Sequence, residues 1–169
     1  MTDWNALEAI WAGRRMRFLP AGSGAALQPP HYVVVLISDG TGRYLLANIR
    51  ERGYCAPSGR IEPDETPEAA AVREAYEESG AVLAQLHPLG DYLLEPCSED
   101  EQSPCRAPVF FAQAERIDAL HANSESQGVR WATLEELPQI YYDWSPLIEA
   151  VFRYAEERRK SLWERQGEA

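Results

Sequence analysis

The sequence predicts an α+β fold, an α/β/α sandwich in which a β-sheet is covered by helices. Three observations predict it. Residues 32–38 form a run of β-branched and aliphatic side chains followed by a turn and a second apolar run, the pattern of a strand pair. A helix has both ends marked, by Thr66 before Pro67 and by Gly80. After further strand-like runs, Ser145 and Pro146 open a final helix. Strands on either side of a helix, with another helix at the end, give the layered arrangement.

In chain order, Thr2 or Asp3 is expected to cap a short helix through Trp11, with Trp4, Leu7 and Ile10 on its apolar stripe. Residues 16–19 read as a strand and residues 20–30, rich in Gly, Ala and Pro, as a loop. Residues 1–30 thus form an extension of unassigned structure on a single domain spanning 1–169. The strand at 32–38 turns at Asp39-Gly40-Thr41-Gly42 and returns over 43–49. The 66–79 helix follows, with Ala69, Ala70, Val72, Ala75 and Tyr76 available to pack inward. Residues 81–94 read as one or two strands interrupted at His87-Pro88, 95–108 as a polar loop and 109–115 as a strand. Residues 128–131 are the last strand, 133–138 a short helix, and 144–165 the C-terminal helix, whose packed stripe is Leu147, Ile148, Val151, Phe152 and Ala155.

Composition narrows the function classes. The chain has 169 residues, 45% hydrophobic and 25% charged, as expected of a soluble globular domain. Its net charge of −11 lacks the basic footprint that stable nucleic-acid or anionic-membrane binding needs. No apolar run is long enough to span a bilayer and no leader is evident, so a cytoplasmic location is expected. The three cysteines, Cys55, Cys97 and Cys105, read as reduced packing thiols, with a Cys97 to Cys105 bridge across the polar loop as the alternative. His31, His87 and His121 are scattered and read as surface or edge residues.

Chemistry concentrates between Gly59 and Ala81. Glu74, Glu77 and Glu78 fall at i, i+3 and i+4, on one face of the 66–79 helix. Like charges at that spacing destabilise a helix, and only Arg73 is near enough to relieve them. A hard divalent cation would resolve the repulsion, because carboxylate oxygens are the ligands that Mg²⁺ and Mn²⁺ prefer. A lone acidic triplet is more often a solvated helix face. The longer spacing decides: Gly59, Glu65, Arg73, Glu74, Glu77, Glu78 and Gly80 resemble the signature G-x5-E-x7-R-E-U-x-E-E-x-G-U of the Nudix hydrolases, U being a bulky aliphatic. Ala75 and Ala81 are the departures, apolar but small, and Ser58 replaces a glycine often found before the box.

The resemblance implies a mixed β-sheet between helices and metal-dependent hydrolysis of a nucleoside diphosphate derivative, with Mg²⁺ or Mn²⁺ as cofactor. It implies that Glu74, Glu77 and Glu78 hold the metal together with the Gly59 carbonyl, that Arg73 orients them, and that Glu65 supports the helix start. Glu115 sits where MutT-like relatives place a further metal ligand, with Glu99 and Glu101 as competitors. The general base is left between Glu77, Glu78 and a carboxylate of a later loop. Arg52, Tyr54, Arg60 and Trp131 are the expected substrate contacts, with Tyr141, Tyr142 and Trp144 as further aromatics able to stack a base. The short lead-in to the box resembles nucleoside triphosphate pyrophosphohydrolases, whereas Pro96 falls near a proline often found in ADP-ribose pyrophosphatases. A small nucleotide is therefore the expected partner; a noncatalytic nucleotide sensor is the alternative outside enzymes, and family members often form homodimers.

Overall fold

The structure is a computed structural model that describes residues 1–23, 28–98 and 102–167. Its ten strands are β1 (Ala9–Trp11), β2 (Arg14–Pro20), β3 (Tyr32–Ser38), β4 (Arg43–Ile49), β5 (Gly53–Cys55), β6 (Ser58–Arg60), β7 (Ala81–Leu83), β8 (His87–Glu95), β9 (Cys105–Ile117) and β10 (Ser126–Thr133). The helices are α1 (Pro67–Ser79), α2 (Leu137–Ile140) and α3 (Pro146–Gly167). The main path of the sheet runs β1-β2-β8-β9-β3-β4-β10. It is mixed, because β3 and β9 run parallel while their other neighbours are antiparallel.

Alternation along β3 makes the layers. Val33, Val35 and Ile37 face one side and pack with Ala70, Ala71 and Ala75 of α1, while Leu36 faces the other and packs with Leu147, Val151 and Phe152 of α3. The α/β/α sandwich expected from sequence is thus present. Ala75 and Ala81 are fully buried, so the small side chains at the two bulky-aliphatic positions sit inside the α1 core. The inward stripe of α1 is Ala70, Ala71, Glu74, Ala75 and Glu78, one step around from the expected one; Val72 points to solvent and Ala69 is exposed.

The hairpin of β3 and β4 opens as it leaves its turn. Asp39 closes the turn, accepting from the Thr41 and Arg43 amides, yet Ser38 and Tyr44 are the register pair directly between the two strands. Beyond it, β4 pairs with β5 and β3 pairs with β6, so residues 53–60 fill the widening gap. This gap places Gly59 under α1 and opens the cleft described below. The turn is tied to α3 by a buried network: Tyr44 donates to Glu156 at 2.7 Å, Arg159 donates to both Glu156 oxygens, and its Nη1 donates to the Gly40 carbonyl at 3.1 Å.

Several sequence expectations are corrected. The N-terminal helix is a single 3-10 turn at Trp4–Ala6 capped by Asp3, after which Ala9–Trp11 is a strand, because Ala9, Ile10 and Trp11 pair with Met16, Arg15 and Arg14. The break between β7 and β8 falls at residues 84–86 rather than at His87-Pro88, which lie inside β8 next to a register shift. Strand β9 begins at Cys105, four residues before the expected start, since β8 continues to pair with it as far as Leu94 and Cys105. Cys97 and Cys105 form a disulfide instead of remaining reduced, their Cα atoms held 5.0 Å apart at the open end of that strand pair. His31 is not a bare edge residue: its Nδ1 lies 3.1 Å from the Cys97 sulfur. Cys55 is a buried free thiol, as expected.

Helix α1 ends where Gly80 adopts φ 73°, and a Cβ there would sit 2.0 Å from the Asp118 carbonyl oxygen. Gly80→Ala therefore combines left-handed strain with a backbone clash, and is expected to lower unfolding free energy by about 2 kcal/mol or more in urea titration. A change below about 0.5 kcal/mol would show that the helix end does not need glycine.

Candidate active site

The site is assembled around the Arg73 guanidinium. Thr66 caps α1 by accepting from the Ala69 amide at 3.1 Å, and Pro67 fills the first turn, which fixes where Arg73 emerges. Arg73 Nε and Nη2 each donate to Glu65 at 2.8 Å, a bidentate pair, and Nη2 also donates to the Arg60 carbonyl at 3.0 Å. Nη1 donates to Glu74 at 2.8 Å and to Glu77 at 3.3 Å. Glu65 in turn accepts from the Glu62 amide at 3.1 Å. The Arg73 hydrogen bonds hold the Glu65 carboxyl down at about 2. Five predicted residues, Glu65, Arg73, Glu74, Glu77 and Gly59, are thus brought together with Glu78.

The carboxylates of the helix are not equivalent. Glu77 is exposed, whereas Glu74 and Glu78 share the inward stripe of α1 and are buried to 8% and 7% exposure. Burial raises the Glu74 carboxyl, opposed by Arg73. Burial pushes Glu78 up to about 8, although it accepts from the Ser58 amide at 3.2 Å, and Glu74 and Glu125 add repulsion. Gly59 lies directly against Glu74: a Cβ would meet its Oε1 at 2.1 Å, so a side chain here would expel the carboxylate. Two partly buried carboxylates with raised affinity for a proton, converging on a bare backbone, fit a hard cation, since either a proton or a cation relieves the same excess charge.

Gly59, Glu74 and Glu78 line a cleft of about 390 Å³, together with Arg52 and Glu125. Val34, Leu36, Leu94 and Phe152 supply apolar lining, and Trp11, Tyr32, Tyr142 and Asp143 line it as well. Arg60 lines the cleft and lies over the Tyr32 ring, 5.7 Å from its centroid. The other predicted substrate and metal residues are placed differently. Tyr54 is not among the lining residues, but its carbonyl accepts from the Tyr142 amide at 3.0 Å and so sets the rim. Trp131 pairs with Leu45 on β10 and packs beside the α1 core, with the Arg43 guanidinium 5.9 Å from its ring, away from the cleft. Glu115 is exposed on β9 and does not line the cleft. Glu99 and Glu101 lie outside the described residues. Tyr141 packs on Trp144 and Phe152 and also lines the cleft, whereas Trp144 does not line it.

Glu125 is the residue that sequence reasoning missed. Its loop is docked onto the helix by Ser124, whose Oγ donates to the Glu77 carbonyl at 2.9 Å, and its own carbonyl accepts from the Arg50 amide at 3.0 Å. The sole sequence signal was an acid between two serines just before the last strand. Trp11 and Met16 were also missed as lining residues, because the N-terminal piece was read as a helix and a loose strand.

The profile of the NUDIX domain matches residues 28–153. The chain is 33% identical over 110 residues to YtkD of Bacillus subtilis (strain 168), whose name includes 8-oxo-dGTP diphosphatase, the match covering 65% of each chain. It is 31% identical over 117 residues to the oxidized purine nucleoside triphosphate hydrolase of Danio rerio, covering 63% of this chain and 72% of that one. A second Bacillus subtilis relative is matched over 51% of its length, so the chain spans between half and two-thirds of the first two relatives. Among solved structures, the Bacillus subtilis pyrophosphohydrolase BsRppH superposes with a TM-score of 0.72 at 22% identity, covering 90% of this chain and 97% of that one. That similarity shows the fold alone.

The raised Glu78 carboxyl has a consequence for stability. Its folded-state pKa of about 8 exceeds the ordinary 4.5, so unfolding releases a proton between those values and stability falls as pH rises from about 4.5 to about 8. In protein stripped of divalent metal, Glu78→Gln is expected to raise unfolding free energy by about 2–4 kcal/mol at pH 8, shrinking below about 1 kcal/mol near pH 5. Parallel chemical denaturation at the two pH values measures it; a variant less stable than wild type at pH 8 would contradict the burial argument.

Proposed function

The chain belongs to the NUDIX family, and from that premise we propose that it hydrolyses a phosphoanhydride bond of a nucleoside triphosphate in the presence of Mg²⁺ or Mn²⁺. One observation carries the reading: Glu74, Glu78 and Glu125 line the same cleft as Trp11, Tyr32 and Tyr142. The carboxylates suit a metal-bound polyphosphate and the rings a base. The names carried by the YtkD and Danio rerio relatives point the same way.

When bound, Mg²⁺ or Mn²⁺ would supply charge neutralisation for the anhydride and lower the pKa of an attacking water. Glu74, Glu77 and Glu78, with the Gly59 carbonyl, are the residues that would hold it. Arg73 keeps Glu74 and Glu77 on one guanidinium edge while Glu65 fixes that guanidinium from the other side. Arg52 and Arg60 line the cleft and offer cationic contacts to phosphate oxygens. In the reaction a water oxygen bonds to phosphorus, the bridging P–O bond breaks with its electron pair going to the leaving phosphate, and the water proton passes to a carboxylate. We assign to Glu125 the further metal-ligand role that the resemblance implies for Glu115, because Glu125 lines the cleft and Glu115 does not.

The test is a substrate panel with chromatographic product analysis. Nucleoside monophosphate and pyrophosphate are expected from triphosphates, abolished by a chelator and reduced about 10²–10⁴-fold in Glu77→Gln or Glu78→Gln. Glu125→Gln is expected to lose about 10-fold or more while Glu115→Gln stays within about 2-fold of wild type. Ribose 5-phosphate released from ADP-ribose, with triphosphates untouched, would move the protein to the nucleotide-sugar class. Tight nucleotide binding with no turnover across the panel would make it a sensor.

A further inference from the structure

A second group of metal-ligating side chains lies outside the box. The His31 Nδ1 atom and the Cys97 and Cys105 sulfurs all lie within 4.8 Å of one another, with Nδ1 3.1 Å from the Cys97 sulfur. None of the three lines the cleft, although Tyr32, Leu94 and Ala107 nearby do. Both cysteines are buried and His31 is half-buried. Backbone pairing, independent of the S–S bond, brings them together. The Cys97 amide donates to the Ser103 carbonyl at 3.0 Å, closing the loop between the cysteines, and Leu94 pairs with Cys105 where β8 meets β9. The His31 amide donates to the Arg106 carbonyl and the Arg106 amide to the Pro29 carbonyl, each at 3.0 Å, so His31 is fixed against the residue that follows Cys105. Cutting the disulfide therefore leaves two thiols and an imidazole held at one place.

We propose that, with the disulfide reduced, His31, Cys97 and Cys105 bind one Zn²⁺ ion at a site separate from the carboxylate cluster. Thiolate and imidazole are donors that zinc takes, whereas Mg²⁺ and Mn²⁺ prefer carboxylate oxygen, so the two sites differ in the metal they select. Tetrahedral zinc, with bonds of about 2.3 Å to sulfur and about 2.0 Å to nitrogen, sets edges of about 3.8 Å between sulfurs and about 3.5 Å from sulfur to nitrogen. The second edge is close to the observed 3.1 Å, and the first is reached by χ1 rotation of the cysteines once their bond is cut. Two equivalents of a thiol reductant cut it by exchange: the S–S bond breaks, the reductant leaves as its own disulfide, and two electrons and two protons pass to Cys97 and Cys105. Zn²⁺ then bonds to both sulfurs and to Nδ1, the two thiol protons go to solvent, and His31 keeps its proton on Nε2. The open side of the half-buried His31 leaves the fourth position to water.

The experiment is a titration of the metal-stripped full chain with Co²⁺, read by absorption, in excess Mg²⁺ to occupy the carboxylates. Reduced protein is expected to take up one equivalent with a thiolate-to-cobalt charge-transfer band, which carboxylate ligands do not give, and to lose the band when one equivalent of Zn²⁺ is added. Protein with the disulfide intact is expected to show no such band. Cys97→Ser and Cys105→Ser are each expected to remove about half of the band or more, and His31→Ala to weaken Zn²⁺ affinity by about 10-fold or more. Cys55→Ser is expected to change neither. No charge-transfer band in the reduced wild type, a full-strength band in either Cys97→Ser or Cys105→Ser, or an affinity unaltered in His31→Ala would overturn the site. Reduced and oxidised wild type are compared without any substitution, so that result stands even where a variant fails to fold. Loss of the native circular-dichroism spectrum on reduction would overturn the site as well, because the backbone bonds would then not hold the donors. The titration does not read nucleotide hydrolysis, so either outcome leaves the proposed reaction to its own test.

Discussion

One guanidinium holds the centre of this protein together. Arg73 makes five hydrogen bonds, to Glu65 twice, to Glu74, to Glu77 and to the Arg60 carbonyl, and so joins the loop after β6 to the middle of α1. A planar fork can satisfy several acceptors in fixed directions, which a lysine at the same place could not. Without it, Glu65, Glu74 and Glu77 would repel one another across the loop and the helix, and the loop would lose the contact that places the Arg60 carbonyl. The pairing is partly exposed, so its value lies in orientation more than in stability.

Arg73 nevertheless leaves Glu78 outside its reach, and the fold then does something that stability alone would oppose. Glu78 and Glu74 share the inward stripe of α1 with Ala70, Ala71 and Ala75. Alanines at those positions leave room for the helix to approach Val33, Val35 and Ile37 of the sheet, and the same rotation carries both carboxylates into the gap between β3 and β4. There they meet the backbone of Gly59 and the amide of Ser58. Two buried like charges, relieved by Arg73 at Glu74 and by one amide at Glu78, are an expensive arrangement unless a further cation completes it. The fold therefore concentrates its electrostatic strain where the family's chemistry requires a metal.

The chain between Gly59 and Gly80 was legible because each of its features has a local cause: a cap at Thr66, a proline at the helix start, carboxylates at helical spacing, a left-handed glycine. The alternation in β3 was legible for the same reason. What could not be read depended on distant pairing. Trp4, Leu7 and Ile10 have the spacing of a helix face, but Ile10 and Trp11 pair with Arg15 and Arg14, and a three-residue strand has no periodicity of its own. The Cys97 to Cys105 disulfide follows from how far β8 and β9 stay in register, which no spacing rule supplies. Glu115 and Glu125 were equivalent in sequence, each an acid beside a strand; the docking of Ser124 onto the end of α1 is what brings Glu125 to the cleft.

The residues lining the cleft differ in their freedom to vary. At the box, Gly59 cannot accept a side chain and Arg73 makes five hydrogen bonds, so substitution there disturbs several contacts at once. On the rest of the rim, Trp11 sits on a short edge strand, and Tyr142 and Asp143 sit in the turn before α3, outside the box. The rim is not loose for that reason. The disulfide and His31 gather the ends of β8, β9 and β3, and the neighbouring residues Leu94, Ala107 and Tyr32 all line the cleft. Substitution of Trp11, Tyr142 or Asp143 can thus change the cleft wall without removing the Arg73 contacts, because the two groups are anchored separately.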